Sequence, residues 1–163
     1  MTKFDELCQA YANSRKNYFN YQSSCHEFIS RLIKKIIKYL EIPEEQVKVI
    51  PLHQEAKDQC DYSVTEAMHL EDDTFWHIGL LITLYAEDSL PRQPVLIWLI
   101  TKRNNDLFLV KLGPASKEFA VHPNEEQDYI NFIDHLFLNI KDSFELGLQH
   151  FLEGQENTRR IGF

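Results

Sequence analysis

A chain of 163 residues with 44% hydrophobic and 12% aromatic side chains can bury a core without disulfide or metal staples, which excludes a disordered polypeptide. The net charge is −8, but residues 1–40 carry seven basic and three acidic side chains, so the remainder is strongly acidic. Such a body lacks the clustered cations that a nucleic acid requires, and no apolar run approaches the length of a membrane span.

The first 42 residues read as helical. Thr2 can cap a helix whose first turn carries Asp5 and Glu6, and Phe4, Leu7, Cys8, Tyr11, Tyr18 and Tyr21 recur at helical spacing. Ser24-Cys25-His26-Glu27 matches a capping box, so a second helix can begin there with Phe28, Ile29, Leu32, Ile36 and Ile37 on its apolar face. Nothing between Asn13 and Ser24 breaks a helix, so one helix or a helix pair both fit residues 2–41. Pro43 ends the segment.

Residues 46–121 read as an antiparallel sheet of five to six strands. Short strands are expected at 47–52, 62–70 and 118–121, around a meander of 74–86, 95–102 and 107–112. Glu71-Asp72-Asp73 and Asn104-Asn105 supply turns. The central runs are apolar at alternate and intervening positions alike, so both faces call for cover, from helices or from a second copy of the chain. A capping box at Asn124-Glu125-Glu126-Gln127 opens a long helix over 124–153, packed across the sheet, and 154–163 forms a tail. The expectation is therefore a single α+β domain spanning 1–163 and working as a homodimer.

Candidate chemistry is sparse. A pairing register in which partners sum to 146 sets His69 against His77, with Asp72 in the intervening turn; imidazoles beside a carboxylate suit zinc. Ordinary strand histidines beside a soluble turn account for the same residues, so no cofactor is required. Trp76, Tyr85 and Trp98 are candidates to line a small-ligand pocket, and Arg159 and Arg160 to clamp a phosphate or carboxylate. Cys25 falls on an apolar stripe and reads as a core thiol. The basic stretch Arg31–Lys38 reads as a helix with one face packed and its lysines solvated. His122-Pro123-Asn124 resembles the triplet that precedes the active cysteine of ubiquitin-conjugating enzymes, but no cysteine follows it.

Three cysteines with no C-x-x-C, and no charged-then-apolar leader, point to a reducing, cytoplasmic location. In size and charge the chain is similar to small acidic secretion chaperones. With no strong catalytic motif, the functional expectation is a non-enzymatic binding or regulatory protein that uses an acidic surface or groove on a partner protein. A metal-dependent hydrolase or a small-ligand binder is the alternative.

Overall fold

The computed structural model describes residues 1–53, 61–87 and 90–153. The first helix, α1 (Lys3–Tyr39), is one uninterrupted element of 37 residues, about 55 Å long. Thr2 and Asp5 form its capping box, which satisfies two backbone donors of the first turn. The second box does not start a helix; Ser24 Oγ instead donates back to the Tyr21 carbonyl inside α1.

A short 3₁₀ turn over Glu44–Gln46 leads into β1 (Val47–Ile50), and Pro51 closes that strand. The strand expected over 62–70 is mostly absent. Ser63 and Glu66 form a capping box that starts the one-turn helix α2 (Val64–Ala67), leaving only β2 (His69–Leu70) extended. The meander follows as β3 (Trp76–Tyr85), β4 (Arg92–Asn104) and β5 (Leu107–Lys111), with β6 (Phe119–Val121) beyond it. The sheet is antiparallel in the order β1-β3-β4-β5-β6, and β2 also pairs with β3. Asn105, at φ 57°, takes the left-handed position in the β4–β5 turn.

The last helical segment begins later than expected and breaks. The helix α3 (Glu126–Glu145) has no side-chain cap; Asp128 instead accepts hydrogen bonds from the His122 backbone and ring, fixing the approach to the helix. The chain kinks at Leu146 and resumes as α4 (Gly147–Leu152). Among the described residues, no helix is long and apolar enough to cross a membrane.

The core lies on one face of the sheet. Trp76, Ile78, Leu80 and Ile82 of β3 and Val95, Ile97 and Leu99 of β4 meet the second half of α1 and the first half of α3. Phe28 anchors this layer, stacked on Phe108 at 3.9 Å between centroids and beside Tyr129. The two helices are joined by the Lys35–Glu126 ion pair and by Tyr39 donating to Asp134 at 2.7 Å. Lys35 of the basic stretch is thus spent on the acidic flank of α3. Both long helices sit on this same face, and among the described residues no helix packs on the other face of the sheet.

Candidate functional site

That second face is built by the residues between the core positions. The register sets Lys48, Ile50, His77, Gly79, Leu81, Thr83 and Tyr85 on it from β1 and β3. From β4 and β5 come Arg92, Pro94, Leu96, Trp98, Ile100, Lys102, Leu109 and Lys111. Leu81, Leu96, Trp98 and Leu109 are half-buried, which leaves an apolar strip in contact with solvent. Every charged residue at a strand position of this face is basic: Lys48, Arg92, Lys102 and Lys111. The described carboxylates lie on the helices and in the turns and loops.

Two of the cations are held in place. Lys111 Nζ and Lys102 Nζ lie 4.4 Å and 5.7 Å from the centroid of Phe75, which is buried beneath them. Lys102 also donates to Thr74 Oγ1 at 2.9 Å, and Lys111 to the Pro114 carbonyl. An anchored ammonium loses less freedom on meeting an anion, so the patch is prepared for a carboxylate-bearing ligand.

The histidine pair lies at one side of the same face. His69 and His77 are direct cross-strand partners, in the register expected from the turn. Asp73, not Asp72, reaches His77, with Oδ2 2.8 Å from Nε2, while Asp72 is exposed at the tip of the turn. Burial pushes the Asp73 carboxyl up, but the Phe75 backbone N–H, His77 and Lys111 outweigh it and hold it below its ordinary value. His53 stacks on His69 with ring centroids 4.2 Å apart, a contact without a short-range sequence signal. Among the described residues, the Glu71 carboxylate approaches His69 Nε2 only to 3.9 Å. Among the described residues, no three histidine, cysteine or acidic side chains are placed to hold a metal ion.

The aromatic candidates separate. Trp76 belongs to the core face at 3% exposure, while Trp98 and Tyr85 belong to the opposite one, so the three line no common pocket. Trp76 Nε1 is buried beside the Cys25 thiol and the Tyr21 hydroxyl. Burial raises the Cys25 thiol above its ordinary value, the reverse of an activated nucleophile. His26 packs edge-on against Trp76, and burial favours its neutral form. Arg159 and Arg160 lie outside the described residues.

A cleft of about 430 Å³ opens between α1, the β4–β5 turn and the segment before α3. It contains Arg31 and Arg103, which sequence spacing does not bring together. Arg103 is engaged by Ser24 Oγ and the Asn105 carbonyl, and Arg31 by Glu27 and the Pro123 carbonyl. With Glu27 and Asp106 also lining the cleft, its charge balances, so it offers no strong field to an anion.

No family model, no curated protein and no solved structure matches this chain.

Proposed function

We propose that the chain is a non-enzymatic binding or regulatory protein that works as a homodimer and acts on a partner protein. The observation that supports this most directly is the face of the sheet on which no described helix packs, an apolar strip bordered by Lys48, Arg92, Lys102 and Lys111. Open apolar area on a folded protein is costly unless a ligand covers it. A segment with both apolar side chains and carboxylates matches the strip and its cations together. The acidic surface anticipated from composition is then that of α3, where Glu126, Asp128, Asp134, Asp142 and Glu145 lie. It faces away from the strip.

The chemistry of the side chains supports binding over catalysis. The polar groups nearest the strip are tied into pairs, His77 with Asp73 and Lys102 with Thr74, instead of being aimed at a shared point.

The test is a fluorescence-anisotropy titration with two labelled ten-residue peptides, one alternating leucine with glutamate and one alternating leucine with lysine. The acidic peptide is expected to bind and the basic one to fail, with Trp98→Ala and Lys102→Glu each weakening the acidic peptide roughly tenfold. Equal binding of both peptides, or no binding of the acidic one up to millimolar concentration, would overturn the proposal.

A further inference from the structure

The cleft beside α1 brings charges of both signs together from three separate parts of the chain. Ser24, Glu27, Phe28 and Arg31 follow one another at i, i+3, i+4 and i+7, so they share one side of the helix. Arg103 reaches that side from the sheet, where it is the cross-strand partner of Phe108. The Phe108 ring stacks on Phe28, and the two buried rings form the floor of the cleft. Its volume of about 430 Å³ lies within the range of small-molecule sites, roughly 300–1,000 Å³.

The two guanidinium groups are positioned but not used up. Arg103 donates from Nη1 to Ser24 Oγ and from Nε to the Asn105 carbonyl, each at 3.2 Å, so these acceptors are neutral. Ser24 Oγ itself donates to the Tyr21 carbonyl, which fixes the hydroxyl as an acceptor for Arg103. Arg31 donates to the Pro123 carbonyl at 3.5 Å and to Glu27 Oε1 at 3.4 Å, both long bonds. A guanidinium has five N–H donors, so three on each arginine are left outside these bonds. Ser24 and Glu27 are one helical turn apart, about 4.5 Å of rise, so the two groups are tied to neighbouring turns. The carboxylates of Glu27 and Asp106 line the same space.

We infer that the cleft binds a small zwitterion, a free α-amino acid, with its carboxylate on Arg31 and Arg103 and its ammonium on Asp106. The balance of charge decides the class of ligand. A simple anion gains from the guanidiniums but is repelled by Glu27 and Asp106, and a simple amine meets the reverse. A molecule carrying both charges satisfies both pairs. Planar guanidinium groups match a carboxylate through paired N–H donors, and Arg103, already pinned at two points, loses little freedom on binding. Arg103 faces α1, whereas the strip lies on the opposite side of the sheet, so this site goes beyond the partner-binding face and does not depend on it. A regulatory protein thereby has an effector site apart from the surface that meets its partner.

The experiment is a nuclear magnetic resonance titration of the full chain with each standard α-amino acid, up to about 10 mM, following the arginine Nε–H signals. At least one amino acid is expected to shift the signals of Arg31 and Arg103. Its two half-charged analogues, the acid without the amino group and the amine without the carboxyl, should each bind at least roughly tenfold more weakly. Arg103→Gln should weaken the amino acid roughly tenfold, with the near-ultraviolet signal of Trp76 and Trp98 checking the fold. Asp106→Asn should weaken the amino acid and tighten the acid analogue, an opposed change that damage to the fold does not produce. No shift with any of the amino acids would overturn the proposal. Inorganic phosphate or the acid analogue binding as tightly as the amino acid would overturn the zwitterion and make the cleft an anion site. Binding that survives both substitutions unchanged would overturn the cleft as its place.

Discussion

Gly79 lies at the centre of β3, opposite Ile50 on one side and Trp98 on the other. Generic preference argues for replacing it, since glycine inside a regular element costs about 0.5–1 kcal/mol relative to alanine. Local space argues the other way. A methyl group at this position would lie 2.8 Å from Ile50 Cγ1, 3.0 Å from the Ile50 carbonyl oxygen and 3.0 Å from Leu52 Cδ2. The carbonyl cannot rotate aside without moving β1, so the strand or its hydrogen bonds must yield. Overpacking of this kind costs about 1–3 kcal/mol, which exceeds the propensity gain and leaves Gly79→Ala about 1–2 kcal/mol less stable. For a chain of this size that is a fall of roughly 2–8 °C in Tm. Urea unfolding followed by circular dichroism and tryptophan fluorescence measures it as a lower midpoint at unchanged slope. Gly79→Ala/Ile50→Ala should lose less than the sum of the two single changes, because Ile50 Cγ1 is the nearest clash. If Gly79→Ala unfolds at the same urea concentration as the parent, or a higher one, the close approach of β1 is wrong.

Two further outcomes follow from the cysteines and from Asp73. Cys8 is exposed on α1 and Cys25 is fully buried with its thiol pushed up, so a thiol reagent at neutral pH should label Cys8 ahead of Cys25, and Cys25 only on unfolding. Rapid labelling of Cys25 in the folded protein would refute its place in the core. The folded Asp73 carboxyl is held below its ordinary value of 3.8, so its contribution is complete above that pH and is lost as pH falls through the lower folded value. Because the side chain is 41% exposed, solvent screening keeps the contribution below about 1 kcal/mol. The stability gap between the parent and Asp73→Asn should therefore shrink as the solution is acidified below pH 3.8, and a gap that stays constant or widens would refute the assignment.

Much of the architecture is legible in the order of residues because the strong signals are local. The stripe of Tyr129, Phe132, Ile133 and Leu136 states which side of its helix faces the core. The His69–His77 register is readable because a short acidic turn leaves few pairings open. The error over 62–70 has a local cause as well. Ser63-x-x-Glu66 is a capping box of the same type as Ser24-x-x-Glu27, and only the former starts a helix. Inside an element that already continues in both directions, Ser24 has no free backbone donors to cap. What spacing does not convey is sidedness between distant elements. The placement of Trp76 and Trp98 on opposite faces, the stacking of His53 on His69, and the meeting of Arg31 with Arg103 depend on how the sheet lies against α1. Those contacts are set by packing over the whole chain.

The docking of α1 has a consequence for the order of events during synthesis. Arg31, Lys35 and Tyr39 find their partners 92, 91 and 95 residues further along the chain. At translation rates of about 5–20 residues per second, the helix waits roughly 5–20 s before those partners exist. Until the sheet residues from Trp76 to Leu99 have also been made, its whole stripe, from Phe4 to Ile36, is uncovered. Nascent chains on neighbouring ribosomes of one message therefore meet with this surface available, before the rest of the fold can claim half of it.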